Sequence, residues 1–184
     1  MQTTLASTAS IDAAQRTVTH VITAAIPDRS GDLVVPAGLA NRAEFLRNPV
    51  VLWAHQRTLP PIGTCIDLQV TKDRVIAVTK FASGVPLADD LFRLYEQGIL
   101  RGWSIGFVPK RAGLRPPTGD GPRGMLVETW DLLEYSAVPV PENPLALTVA
   151  IRKGIVTSPE LTRSAPQTPR RVVKRSAPQT PRRG

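Results

Sequence analysis

Two side chains that could share a proton stand 49 positions apart. His55 lies in Asn48-Pro49-Val50-Val51-Leu52-Trp53-Ala54-His55-Gln56, which runs on to Pro60-Pro61-Ile62-Gly63, and Ser104 lies in Gly98-Ile99-Leu100-Arg101-Gly102-Trp103-Ser104-Ile105-Gly106-Phe107. A serine hydroxyl is a poor nucleophile at neutral pH and needs a base such as imidazole to take its proton. A third segment, from Asp131 through Glu134 to Ala146, supplies a carboxylate that could orient the imidazole. Together the three have the logic of a serine-protease triad. Asp131 competes with Glu134 for the third place, but residues three apart on a strand face opposite sides. His20, the only other histidine, is a further rival for it.

The pentapeptide Gly102-Trp103-Ser104-Ile105-Gly106 also fits the G-x-S-x-G turn of α/β-hydrolases. That turn leads from a strand into a helix, and its acid and histidine follow the serine. Here Phe107-Val108-Pro109 continues as strand or loop and both histidines come first, so this reading fails on order and context. Cys65 is mid-strand with no base segment beside it, and reads as a small buried apolar side chain.

The elements that must carry these residues are mostly strands. Thr17 to Ile26 alternates, with Val18, His20, Ile22, Ala24 and Ile26 on one face. Asp28-Arg29-Ser30-Gly31-Asp32 is turn chemistry, in which Asp28 and Asp32 read as structural. Val50 to His55 is a short apolar run. Ile62 to Val70 and Arg74 to Phe81 predict a hairpin around Thr71-Lys72-Asp73. Pro86 at a first turn, Leu87, Leu91 and Leu94 at helical spacing, Asp89 and Asp90 near the positive end and Gly98 as a stop predict a helix. Strand signals return at Trp103 to Val108. Residues 112–124, with four glycines and three prolines, predict a loop. Met125 to Val138 reads as one strand or a pair, and Leu145 to Ile155 as a strand or short helix.

Composition bounds the rest. A chain of 184 residues has room for one domain with a real core, expected at 15–158 behind a loose segment at 1–14. Of its 23 Lys and Arg, seven lie from Arg163 to Gly184 with no acid among them, leaving 16 basic against 15 acidic residues before that point. The formal charge of +8 therefore belongs to the tail. Arg-Ser-Ala-Pro-Gln-Thr-Pro-Arg-Arg occurs at 163–171 and again at 175–183, and residues 159–184 are expected to be disordered, because such a repeat buries too little apolar surface to offset its chain entropy. The paired arginines could meet phosphates or acidic protein surfaces, although no aromatic residue beyond Tyr135 could stack on a base. One cysteine excludes an intramolecular disulfide and any multi-cysteine zinc site, and no metal or cofactor is implied. The first ten residues carry no Lys or Arg and no long apolar run, and no stretch approaches a membrane span, so a cytosolic protein is expected.

Taken in order, the three segments resemble the prohead maturation protease family of tailed bacteriophages. In that family a leucine-rich stretch ends in a histidine and runs to Pro-Ile-Gly, a Gly-x-Ser-Ile-Gly-Phe carries the serine, and Leu-x-Glu-x-Ser-x-Val-x-x-Pro-x-Asn-Pro follows. The likeness runs from near Asp28 to near Ala146. It implies Ser104 as nucleophile, His55 as general base and Glu134 as third member. It further implies cleavage of scaffold and capsid-precursor segments, and of the protease itself, inside an assembling shell in the host cytoplasm. A more distant likeness to herpesvirus capsid proteases, which use a second histidine, keeps His20 in view. That likeness also implies the fold, a single β-rich α+β domain with a barrel-like sheet and a few flanking helices. The alternative from another class is a non-catalytic scaffold or capsid-binding module, self-association included, that uses the basic tail.

Overall fold

The computed structural model describes residues 11–115 and 123–148. The expectations for residues 1–10, for 149–155 and for the tail from 159 onward lie outside the described residues.

The described chain forms β1 (Ile11–Asp12), β2 (Thr17–Ala24), β3 (Leu33–Val34), a 3-10 turn at Pro36–Gly38, α1 (Arg42–Phe45), β4 (Val50–Trp53), β5 (Gly63–Val70), β6 (Arg74–Phe81), α2 (Pro86–Glu96), β7 (Gly102–Arg115) and β8 (Gly124–Val138). The eight strands make one sheet in the order β1-β2-β6-β5-β4-β8-β3, with β7 paired to β8. The β5–β6 hairpin forms where the pattern placed it. Its turn is held by the Thr71 hydroxyl, which accepts the Asp73 and Arg74 amides. Helix α2 starts at Pro86 and stops before Gly98, whose φ of 71° suits a residue without a Cβ. Its buried face is Ala88, Leu91, Phe92 and Tyr95 rather than a leucine stripe; Leu87 and Leu94 only flank it.

Four sequence expectations need correction. The sheet is not a closed barrel: among the described residues its ladder is open between β2 and β7, where the isolated bridges His20–Thr148 and Gly102–Leu147 occur. Between them lies Ala146–Thr148, whose backbone bonds Val21, Trp103 and Arg101. The loop expected at 112–124 is ladder at its two ends, since β7 runs to Arg115 opposite Gly124; residues 116–122 lie outside the described residues. Residues 11 and 12, expected to be loose, pair with Val18 and Thr17. The alternation of β2 breaks at a register shift between Val21 and Thr23, and from His20 onward both faces are buried.

The core lies under α2 and across the middle of the sheet. Trp103 is fully buried and contacts Tyr95, Phe81 and Tyr135, with His20 stacked on it at 3.5 Å between ring centroids. Strand β8 is the hub, with β7 antiparallel along one edge and β3 and β4 parallel on the other. Ladder register therefore transmits the position of β8 to both segments of interest. Phe81 packs on Phe92, Tyr95 and Trp103, so Phe81→Ala should cost about 3–5 kcal/mol, the usual range for an emptied aromatic site. A urea unfolding curve measures it, with a lower midpoint and little change in slope expected.

Candidate active site

His55 stands just past the end of β4. Trp53 pairs in parallel with Ala137, and the Ala54 amide donates to the Ala137 carbonyl, which carries the ladder one residue beyond the strand. The chain then reverses through two left-handed residues, Ala54 at φ 48° and His55 at φ 59°. For residues with a Cβ this conformation costs roughly 1–2 kcal/mol each and persists only where surroundings impose it. Here three bonds impose it: the one from Ala54, one from the Gln56 amide to the Trp53 carbonyl, and one from the His55 amide to the Ser136 hydroxyl at 3.0 Å.

The turn delivers the imidazole to Glu134. His55 Nδ1 lies 2.8 Å from Glu134 Oε1, with the His55 side chain 41 % exposed and that of Glu134 3 % exposed. A carboxylate only accepts hydrogen bonds, so Nδ1 carries the hydrogen and, in the neutral ring, Nε2 keeps its lone pair. The second carboxylate oxygen accepts the Ser136 hydroxyl at 2.7 Å. Gly106 faces the same carboxylate across the β7–β8 pair. A Cβ there would come 2.0 Å from Glu134 Oε1, so glycine is required for the carboxylate to reach His55.

Ser104 sits on β7 directly opposite Ser136. Ser104 and His55 line one cavity of about 270 Å³, whose other walls include Thr23, Asp28, Asp32 and Asn143. The arrangement thus presents a hydroxyl and a solvent-reachable imidazole to a common space, with a buried carboxylate behind the imidazole.

The remaining candidates lie elsewhere. Asp131 forms an ion pair with Lys110 at 2.8 Å and is not at the imidazole. His20 is completely buried, with Nε2 2.8 Å from the Thr79 hydroxyl, which in turn meets Tyr135. Burial holds its pKa well below the usual histidine value, a hydrogen bond to the Val21 backbone opposing in part. Cys65 is buried, and burial pushes its thiol pKa up, away from the thiolate. Asp28 makes the expected turn, its Oδ1 accepting the Ser30 and Asp32 amides, while Asp32 accepts the Met125 amide. Burial raises the Asp28 pKa, and the backbone bond from Asp32 opposes that in part. Beyond this structural role, both aspartates reach the cavity. Ser136 had drawn no role from sequence reasoning; the signal was its place two residues after Glu134, on the same strand face.

Comparison with known proteins adds the following. The model of the caudovirus prohead serine protease family matches residues 17–158. The capsid polyprotein of Pseudomonas phage PAJU2 is 29 % identical over 148 residues, which cover 77 % of this chain and 21 % of that protein. The chain thus spans about a fifth of the length of this relative. No solved structure matches.

Two expectations follow from the geometry. His20 is neutral in the folded protein, whereas the unfolded chain takes up a proton below about pH 6.5; stability should fall as pH drops through that value. His20→Phe keeps a ring on Trp103 but cannot titrate, and should flatten the slope between pH 7 and 5 in unfolding experiments. Gly106→Ala should displace the Glu134 carboxylate and break its bond to His55. The parent protein should show a downfield imidazole N–H proton resonance from that bond, and the variant should lack it.

Proposed function

Since the chain belongs to the caudovirus prohead serine protease family, we propose that it is a serine endopeptidase in which Ser104 is the nucleophile, His55 the general base and Glu134 the orienting carboxylate. The observation that carries this reading is the His55–Glu134 contact on the wall of a cavity that Ser104 also lines. The Ser104 Oγ attacks the scissile carbonyl carbon while His55 Nε2 takes its proton. Glu134 holds the tautomer and stabilises the imidazolium. The C–N bond then breaks as the same Nε2–H protonates the leaving amine, and an ester remains on Ser104. Water, deprotonated by His55, hydrolyses that ester and restores the serine.

The negative oxygen of the tetrahedral intermediate needs donors, each worth roughly 10²–10³ in rate. Ladder alternation supports the Ile105 amide as one. Trp103 N–H turns away from β8 to the Ala146 carbonyl, and residues two apart on an antiparallel strand point the same way. Ile105 N–H therefore faces the outer edge of β7, next to the nucleophile.

In this reading the protease domain spans 15–158. Its substrates are segments of scaffold and capsid-protein precursor, and the chain itself, within an assembling prohead in the host cytoplasm. The likeness to a phage capsid polyprotein supports capsid proteins as partners.

Incubation with the cognate capsid precursor, followed by mass spectrometry of the fragments, tests the proposal. Ser104→Ala and His55→Ala should each abolish cleavage with folding intact, since triad members act as a unit. Glu134→Gln should lower kcat by about 10⁴, and His20→Ala and Asp131→Asn far less. Cleavage by Ser104→Ala at the parent rate would sink the serine-protease reading. A parent protein that binds the precursor but never cuts it would point to the adaptor alternative.

A further inference from the structure

The Ser136 hydroxyl adds a side-chain tie between His55 and Glu134 to the β4–β8 ladder that brings them together. It accepts the His55 amide at 3.0 Å and donates to Glu134 Oε2 at 2.7 Å, at a position with no solvent exposure. A hydroxyl has one hydrogen to give and lone pairs to accept with, so both bonds form at once. No other residue type of that size does both: alanine does neither, and a thiol donates weakly. The amide that it holds belongs to a left-handed histidine, which without that bond has one restraint fewer against relaxing to an ordinary backbone conformation.

We propose that Ser136 is a positioning residue for the peptidase reaction. It pins the strained backbone of the base to the far oxygen of the orienting carboxylate, so that imidazole and carboxylate move as one body. The inference rests on the roles assigned to His55 and Glu134 above. Ser136 closes a ring: His55 amide to Ser136, Ser136 to Glu134 Oε2, and Glu134 Oε1 back to His55 Nδ1. In that ring the carboxylate has both oxygens engaged and little freedom to rotate away from Nδ1. Because Ser136 touches neither the substrate nor the reacting atoms, its effect should fall on kcat and leave KM nearly untouched.

The test compares Ser136→Ala, Ser136→Thr and Glu134→Gln, singly and with Glu134→Gln/Ser136→Ala, in peptide cleavage and in labelling of Ser104 by a fluorophosphonate probe. Ser136→Ala should lower kcat by about 10- to 100-fold, the range seen when hydrogen-bond partners that orient functional imidazoles at metal sites are removed. KM should stay within about twofold, and the labelling rate should fall with kcat. Ser136→Thr, which keeps the hydroxyl, should recover most of the loss. In the Glu134→Gln background the further loss from Ser136→Ala should shrink to under about threefold, because the carboxylate through which Ser136 acts is already gone. A serine needed for packing alone would multiply through that background unchanged, and this result would overturn the proposal. So would a Ser136→Ala protein with kcat within twofold of the parent. If Ser136→Ala does not fold, Ser136→Cys, nearly the same size and a feeble donor, replaces it under the same criteria. An inert Ser104→Ala beside a fully active Ser136→Ala removes this inference alone, whereas an active Ser104→Ala removes the reading on which it rests.

Discussion

A carboxylate that is 3 % exposed must have its oxygens engaged, because an ionised group taken out of water without hydrogen-bond partners costs several kcal/mol. Much of the architecture around Glu134 follows from that requirement. Its two oxygens are met by His55 Nδ1 and the Ser136 hydroxyl, on opposite sides of the group. Gly106 leaves room for the near oxygen, and the left-handed Ala54-His55 turn brings the imidazole into line with it. Either feature alone would look like a local defect, a glycine in a strand or two non-glycine residues at positive φ. Both are consequences of one buried carboxyl group.

Strand β8 is what makes this economical. It pairs with β4 in parallel and with β7 antiparallel at the same residues, Tyr135 to Ala137, so one stretch of backbone sets the positions of His55 and Ser104 together. The register shift between Gly106 and Phe107, opposite the Leu132–Glu134 stretch, falls where the carboxylate must be aimed. Immediately beneath, Trp103 anchors β7 in the core by stacking on Tyr95 and His20 and donating its indole N–H to Thr148. The residue next to Ser104 is thus firmly held, as the proposed role of Ser104 demands. His20 belongs to that support. Its ring is sandwiched into the aromatic cluster and bonded to Thr79, which explains a histidine on an apolar strand face without any part in proton transfer.

The open side of the sheet has a functional meaning in the proposed reaction. A closed ladder would consume the outer amides of β7, whereas among the described residues Ala146–Thr148 meets that edge as far as Trp103. From Ile105 onward no described residue pairs with that edge. A peptide bond presented there would lie beside Ser104, and pairing of main chain with main chain would be indifferent to most side chains.

The amino-acid sequence by itself determined what short-range forces decide. The β5–β6 hairpin with its Thr71 turn, helix α2 between Pro86 and Gly98, and the concentration of basic charge beyond Arg163 all follow from neighbours a few residues apart. His55, Ser104 and Glu134 came forward as candidates through residue type and the family resemblance of their segments. Tertiary structure alone decided which carboxylate meets the imidazole. Asp131 and Glu134 are three residues apart, and only the pairing of β8 with β4, across 79 positions, brings Glu134 to His55 and leaves Asp131 to Lys110. It also decided that His20 is core, that Ser136 ties His55 to Glu134, and that the ladder of the described residues stays open. Each of these depends on long-range register and on burial, and no local pattern carries that information, since a one-residue slip would turn every side chain of a strand to the other face.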